Sequence, residues 1–116
     1  MTLKVLIVED DPMSAEFLKL FLEDENYTVF AANSASEAER ILEGFVPDIV
    51  LTDMLLGESN GADIAKLCRD KGVSRIIAVS GLDQARLSQM KIDVSLFDKL
   101  LLKPVDFDEL LKVIKL

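Results

Sequence analysis

The chain contains no histidine. That absence removes serine–histidine–aspartate and cysteine–histidine catalysis, HExxH zinc sites and imidazole acid–base chemistry together. Any chemistry must run on carboxylates, hydroxyls and lysines. Cysteine occurs once, at Cys68. It has no partner for an internal disulfide, which fits a reducing compartment, and a lone cysteine reads as a small core residue rather than a nucleophile. No apolar run approaches the ~18 residues that span a bilayer, and the N-terminus lacks the basic, apolar and small-residue segments of a signal peptide. The expectation is a soluble, cytoplasmic protein without membrane association. Basic residues are in deficit, 13 against 21 acidic, for a net charge of −8. Such a chain repels phosphate backbones and offers no basic patch, which argues against direct nucleic-acid binding.

What is present suits one filled core. At 116 residues and 50% hydrophobic, the chain has the size of a single domain, read here as residues 1–116. Apolar runs rich in Val, Ile and Leu recur at 3–8, 27–31, 48–52, 75–80 and 99–102. Continuous rather than alternating apolar character suits parallel strands covered on both faces. Between them the period becomes helical. Pro12 can open a helix that places Phe17, Leu20 and Phe21 on one face, read as a core stripe. Ser34 and Glu37 make a capping box ahead of Ala38, Ile41 and Leu42. A third segment carries Ile64, Leu67 and Cys68, and 82–92 is the faintest helix, with Leu87 and Met90 as its apolar pair. The last places Phe107, Leu110, Leu111 and Ile114 at i, i+3, i+4 and i+7. Five strand–helix units predict a three-layer α/β sandwich with right-handed crossovers and a ligand site beyond the carboxyl ends of the strands.

Those ends carry the chemistry. The first strand runs into Glu9 and Asp10, the third into Asp53, the fourth into Ser80 and the fifth into Lys103. Two carboxylates ~4 Å apart repel by roughly 4 kcal/mol at an effective dielectric of 20, so Glu9, Asp10 and Asp53 on one rim call for a cation. An oxygen-only donor set points to Mg2+, or Mn2+ in its place, rather than zinc.

VEDDP at 8–12, PDIVLTDMLLGESNG at 47–61, AVSG at 78–81 and LLLKP at 100–104 together resemble the receiver domains of two-component response regulators, over essentially the whole chain. The resemblance implies a five-stranded flavodoxin-like fold of strand order 2-1-3-4-5. It also implies transfer of a phosphoryl group to an aspartate from a partner histidine kinase or histidine phosphotransfer protein. Asp53 matches the acceptor, and Glu9 and Asp10 match the acidic pair that holds magnesium, Asp10 directly and Glu9 through water. The main-chain carbonyl of Leu55 matches a further ligand. Ser80 and Lys103 match the hydroxyl and ammonium that receive the incoming charge, with room beside them at Gly81. By the same resemblance the Lys103–Pro104 bond is cis. Asp11, one place beyond the pair, reads as a solvated helix start favoured by the helix dipole.

The chain departs from the family at several points. Gly57 replaces the usual proline four residues after the acceptor, which predicts a looser loop. Leu96 and Phe97 replace a common Gly-Ala pair, and Leu100 stands where an aromatic commonly turns inward. Leu96, Phe97 and Leu100 are therefore read as an apolar surface near the fourth helix and fifth strand, suited to homodimerisation or to a downstream effector. Leu55 and Leu82, two residues after Asp53 and Ser80, predict slow loss of the phosphoryl group because apolar side chains orient water poorly.

Three rival functions share parts of this pattern. A haloacid-dehalogenase-type phosphatase wants an acid where Leu55 stands. A flavin carrier wants a phosphate loop where Glu9, Asp10 and Asp11 would repel the phosphate. A phosphorylation-independent pseudo-receiver, acting as a protein-interaction module, keeps the fold and the acids alike.

Overall fold

A computed structural model of the protein describes residues 2–56 and 59–115. The element order is β1 (Lys4–Val8), α1 (Pro12–Asp24), β2 (Thr28–Ala32), α2 (Ala35–Gly44), β3 (Ile49–Asp53), β4 (Leu55–Leu56), β5 (Ser59–Asn60), α3 (Gly61–Lys71), β6 (Arg75–Ser80), α4 (Gln84–Gln89), β7 (Lys99–Leu102) and α5 (Phe107–Lys115). Five strands form one parallel sheet of order β2-β1-β3-β6-β7. That is the expected 2-1-3-4-5 order once the short antiparallel β4–β5 pair is set aside. The β4–β5 pair was not foreseen, and Gly57, with its expected looser loop, lies outside the described residues.

Side-chain alternation along the strands builds two cores. Val5 and Ile7 of β1, with Leu51 and Ile77, pack under Leu18 and Leu22 of α1 and Leu110, Val113 and Ile114 of α5. Leu6 and Val8, with Val50 and Ile76, face Ala38 and Leu42 of α2 and Ile64, Ala65 and Cys68 of α3. Covering both faces explains why the strands read as unbroken apolar runs. Burial pushes the Cys68 thiol up to about 12, which makes it a core group rather than a nucleophile.

The helix faces correct several sequence expectations. In α1 the core positions are Leu18 and Leu22; Phe17 is 61% exposed and Leu20 54% exposed, while Phe21 stacks on Phe107 at 4.4 Å. This helix is apolar on almost every side, so periodicity alone cannot tell which face meets the sheet. In α5 the buried set is Leu110, Val113 and Ile114, with Phe107 on the rim. α4 is shorter than expected, capped by Asp83, whose side chain accepts the Arg86 N–H; Leu87 is buried and Met90, at the C-cap, is exposed. The capping box of α2 is present with a shift: Ser34 Oγ accepts the Glu37 N–H, but Glu37 reaches the N–H of Asn33.

Leu96, Phe97 and Leu100 do not stand free as expected. They are half-buried and pack against the cores, and the exposed apolar side chains nearby are Met90 and Leu102. The reason is a polar clamp. Asp98 accepts the Ile76 N–H at 2.7 Å and Arg69 at 2.9 Å, and Arg69 donates to the Leu96 carbonyl, drawing this segment onto the sheet.

Candidate functional site

Strand order decides which termini meet. β1 and β3 are neighbours with Val8 opposite Thr52, so the residues that follow, Glu9 and Asp53, come out side by side. β6 lies on the other side of β3, with Val79 opposite Asp53 and Ser80 opposite Leu102 of β7. Glu9, Asp10 and Asp53 each offer a carboxylate oxygen, all within 4.8 Å of one another. Glu9 and Asp53 are buried and Asp10 is exposed. Magnesium–oxygen bonds of ~2.0–2.1 Å separate two ligands by at most ~4.2 Å, so these groups need only a small adjustment to share an ion. Their hard, anionic oxygens fit such an ion, and among the described residues no histidine or cysteine joins the group.

Lys103 completes the cluster from two strands away. Its backbone N–H donates to Ser80 O at 2.8 Å, which fixes the root of the side chain, and Nζ crosses β6 to reach Asp53 Oδ2 at 2.8 Å and Glu9 Oε2 at 3.4 Å. The Lys103–Pro104 bond is cis, as the family resemblance implied. Burial alone would lower the lysine pKa, but the hydrogen bond and charge of Asp53, joined by Glu9, outweigh it and raise it. The ammonium stays charged at neutral pH.

Glu9 is held in a less favourable setting. Desolvation raises its pKa and the charge of Asp53 adds to the rise, while the Asp11 N–H, at 3.1 Å from Oε1, and Lys103 pull it down; the net direction is up. The Asp11 side chain turns away and accepts Ser14 Oγ at 2.6 Å, a bond that lowers its pKa at an exposed helix start. Sequence reading missed the contribution of the Asp11 backbone, because a main-chain donor leaves no residue-type signal. It also missed Thr52, fully buried, whose hydroxyl donates to the Asp53 carbonyl at 3.0 Å.

The other candidates fall around this centre. Leu55 lies next to it, its N–H 3.4 Å from Asp53 Oδ1. Ser80 is buried at the end of β6 and its Oγ accepts the Leu82 N–H at 2.9 Å, leaving the hydroxyl proton to donate. A Cβ at Gly81 would meet no protein atom within 4 Å, so the space beside it is open. A cavity of about 210 Å3 opens beside Glu9 and Lys103, walled by Phe17, Val105 and Phe107. The arrangement juxtaposes a buried carboxylate, a cluster of acids that can share a cation, and an ammonium that can neutralise an incoming anion.

Comparison with known proteins agrees with the fold. The response regulator receiver domain profile matches residues 5–115. Regulatory protein VanR of Enterococcus faecium is 36% identical over 80 residues, which are 69% of this chain and 35% of VanR. A CheY-like receiver domain protein from Methanospirillum hungatei superposes with a TM-score of 0.87 at 26% identity, covering 99% of this chain and 92% of that one. Response regulator TrrA of Thermotoga maritima, in complex with Mg(2+)-BeF, does so with a TM-score of 0.82 at 27% identity, covering 99% and 97%. The chain spans less than half the length of the curated relatives it matches. Among the described residues no helix is long and apolar enough to cross a membrane. A profile match over nearly every residue, on a fold that brings the acids and the lysine to one rim, makes this chain a member of the response regulator receiver domain family.

Proposed function

We propose that residues 1–116 act as one cytoplasmic receiver unit that takes a phosphoryl group onto Asp53 from a phosphohistidine on a partner histidine kinase or phosphotransfer protein. The observation that carries the reading is the Lys103 ammonium 2.8 Å from Asp53 Oδ2, within a cluster of three carboxylates. In the proposed step an Asp53 carboxylate oxygen forms the new P–O bond as the P–N bond of the donor breaks, and the electron pair leaves with the imidazole nitrogen. Lys103 then exchanges its carboxylate partner for a phosphoryl oxygen, and the Ser80 hydroxyl donates to another. Glu9, Asp10 and Asp53, with the Leu55 carbonyl, would hold Mg2+ or Mn2+. When bound, that ion neutralises the clustered charge and polarises the phosphoryl oxygens. The TrrA complex with Mg(2+)-BeF supports the same ligand chemistry in a relative. The reaction is a signalling step rather than general catalysis, and the output goes to a downstream effector.

The test is intact mass after incubation with magnesium and a small acyl phosphate. One added phosphoryl group on the wild type, absent from Asp53→Asn, is the expected result. No addition to either protein leaves a pseudo-receiver, and rapid multiple turnover of the donor marks a phosphatase.

Two further properties belong to this reading. Leu55 is 41% exposed and Leu82 half-buried, and neither can orient a water for attack on phosphorus. Polar replacement at both should shorten the phosphoryl half-life by ~10-fold, short of the 10²–10⁴ of a positioned general base. An unchanged or longer half-life would count against this role. Self-association or effector docking is assigned to the α4–β7 face, where a groove of about 860 Å3 is lined by Ile92, Phe97, Leu100 and Leu102. Sedimentation of the phosphorylated protein should show a dimer that Leu102→Asp disperses; a wild type that stays monomeric with and without phosphoryl removes the homodimer.

A further inference from the structure

We propose that Gly61 is a positioning residue for Asp53: the first turn of α3 is seated so closely on the Asp53–Met54 peptide that any side chain at 61 would move the acceptor carboxylate. This rests on the phosphoacceptor reading of Asp53. A Cβ built on Gly61 would lie 2.6 Å from the Asp53 carbonyl oxygen, 3.2 Å from Met54 Cα and 3.3 Å from Met54 Sδ. The first two are backbone atoms, so rotation of a neighbouring side chain cannot relieve the contact. The approach is held from both sides. Gly61 N–H donates to the Met54 carbonyl at 2.8 Å, and the Thr52 hydroxyl donates to the Asp53 carbonyl at 3.0 Å. Met54 is fully buried, which closes the remaining direction of escape.

Backbone conformation does not explain the glycine. Among the described glycines only Gly72, at φ 85°, has a positive φ. Gly61 opens a helix, where propensity alone favours alanine. The two accounts therefore oppose each other: propensity predicts that Gly61→Ala is neutral or stabilising, whereas close packing predicts that the Asp53 peptide is displaced. A displaced peptide carries Asp53 away from Glu9, Asp10 and Lys103, which are held by the ends of other strands.

Three alanine variants separate positioning from stability. Gly72→Ala strains a left-handed backbone remote from the rim, and Gly44→Ala introduces a Cβ with nothing within 4 Å. Calorimetric titration of each protein with magnesium, and its rate of phosphoryl uptake from a small acyl phosphate, are compared with thermal melting. Gly61→Ala should weaken both magnesium affinity and uptake by roughly 10- to 100-fold, the scale of a misplacement of about 1 Å. Gly72→Ala should melt earlier but keep both within about twofold, and Gly44→Ala should keep all three. A Gly61→Ala protein that binds and reacts like wild type overturns the proposal, as does a Gly72→Ala protein that loses magnesium affinity equally.

Should Gly61→Ala fail to fold, the wild type still decides. Its Gly61 amide resonance should shift with magnesium at the same half-saturation as that of Leu55, whose N–H faces Asp53 Oδ1. A Gly61 resonance that stays still while Leu55 moves breaks the proposed link. A wild type that neither binds magnesium nor takes up phosphoryl overturns the acceptor reading itself, and this inference with it.

Discussion

Asp53→Asn should keep its unmodified mass under conditions in which the wild type gains a single phosphoryl group. The amide nitrogen is not nucleophilic and the amide oxygen carries no full charge, so the loss is one of chemistry rather than of affinity. Uptake should fall by at least ~10³-fold, as expected when the reacting group of a nucleophilic site is removed. The fold should survive. Lys103 keeps Glu9 within 3.4 Å, so the substitution does not strand a half-buried cation, and the side chain keeps its size. Near-native melting together with an unmodified mass assigns the defect to the carboxylate. Phosphorylation persisting in Asp53→Asn at the wild-type rate would place the acceptor elsewhere among the acids.

Magnesium should raise the stability of the wild type by ~2.7 kcal/mol at a hundredfold excess over its dissociation constant, provided that only the folded form binds. For a chain of this length the melting temperature rises on the order of 10 °C. The effect depends on three acids that approach one another only in the folded state. Glu9→Gln or Asp10→Asn should reduce it sharply, and a rise of equal size in the double variant would locate the ion elsewhere. The direction with pH follows from Glu9. Burial and the Asp53 charge hold its folded-state pKa above the ordinary 4.5, so in the metal-free protein its contribution to stability is fully present below 4.5 and is lost as pH rises through the raised value. Ion binding requires the deprotonated form. The magnesium increment should therefore grow across that same window, and thermal melts at a series of pH values with and without magnesium would show it.

The residues of the rim were legible because the rim collects strand ends. In a doubly covered parallel sheet the residue after each apolar run is confined to one edge, so the sequence itself places Glu9, Asp10, Asp53, Ser80 and Lys103 on that edge. The contacts that orient them were hidden. Lys103 reaches Asp53 across β6 because the crossover connections put β3 and β7 on either side of that strand. The Asp11 and Leu55 N–H groups act through the main chain, and the tight seat of Gly61 depends on where α3 lands.

Helix faces show the same division. Leu42, Ile64 and Cys68 were placed correctly because their helices have one apolar side. α1 has more than one, and the choice of Leu18 and Leu22 over Phe17 and Leu20 was made by the surface of β1 and by the approach of α5.

From sequence alone came the class of fold, the boundaries of the five strands of the parallel sheet to within a residue or two, and the chemical character of the rim, since apolar runs and their terminators are local properties of the chain. Tertiary structure alone decided which faces of α1 and α5 are covered, how far Leu96, Phe97 and Leu100 are drawn in, and which partner each charge meets. These depend on groups dozens of residues apart, and a distance through space leaves no trace in a local period.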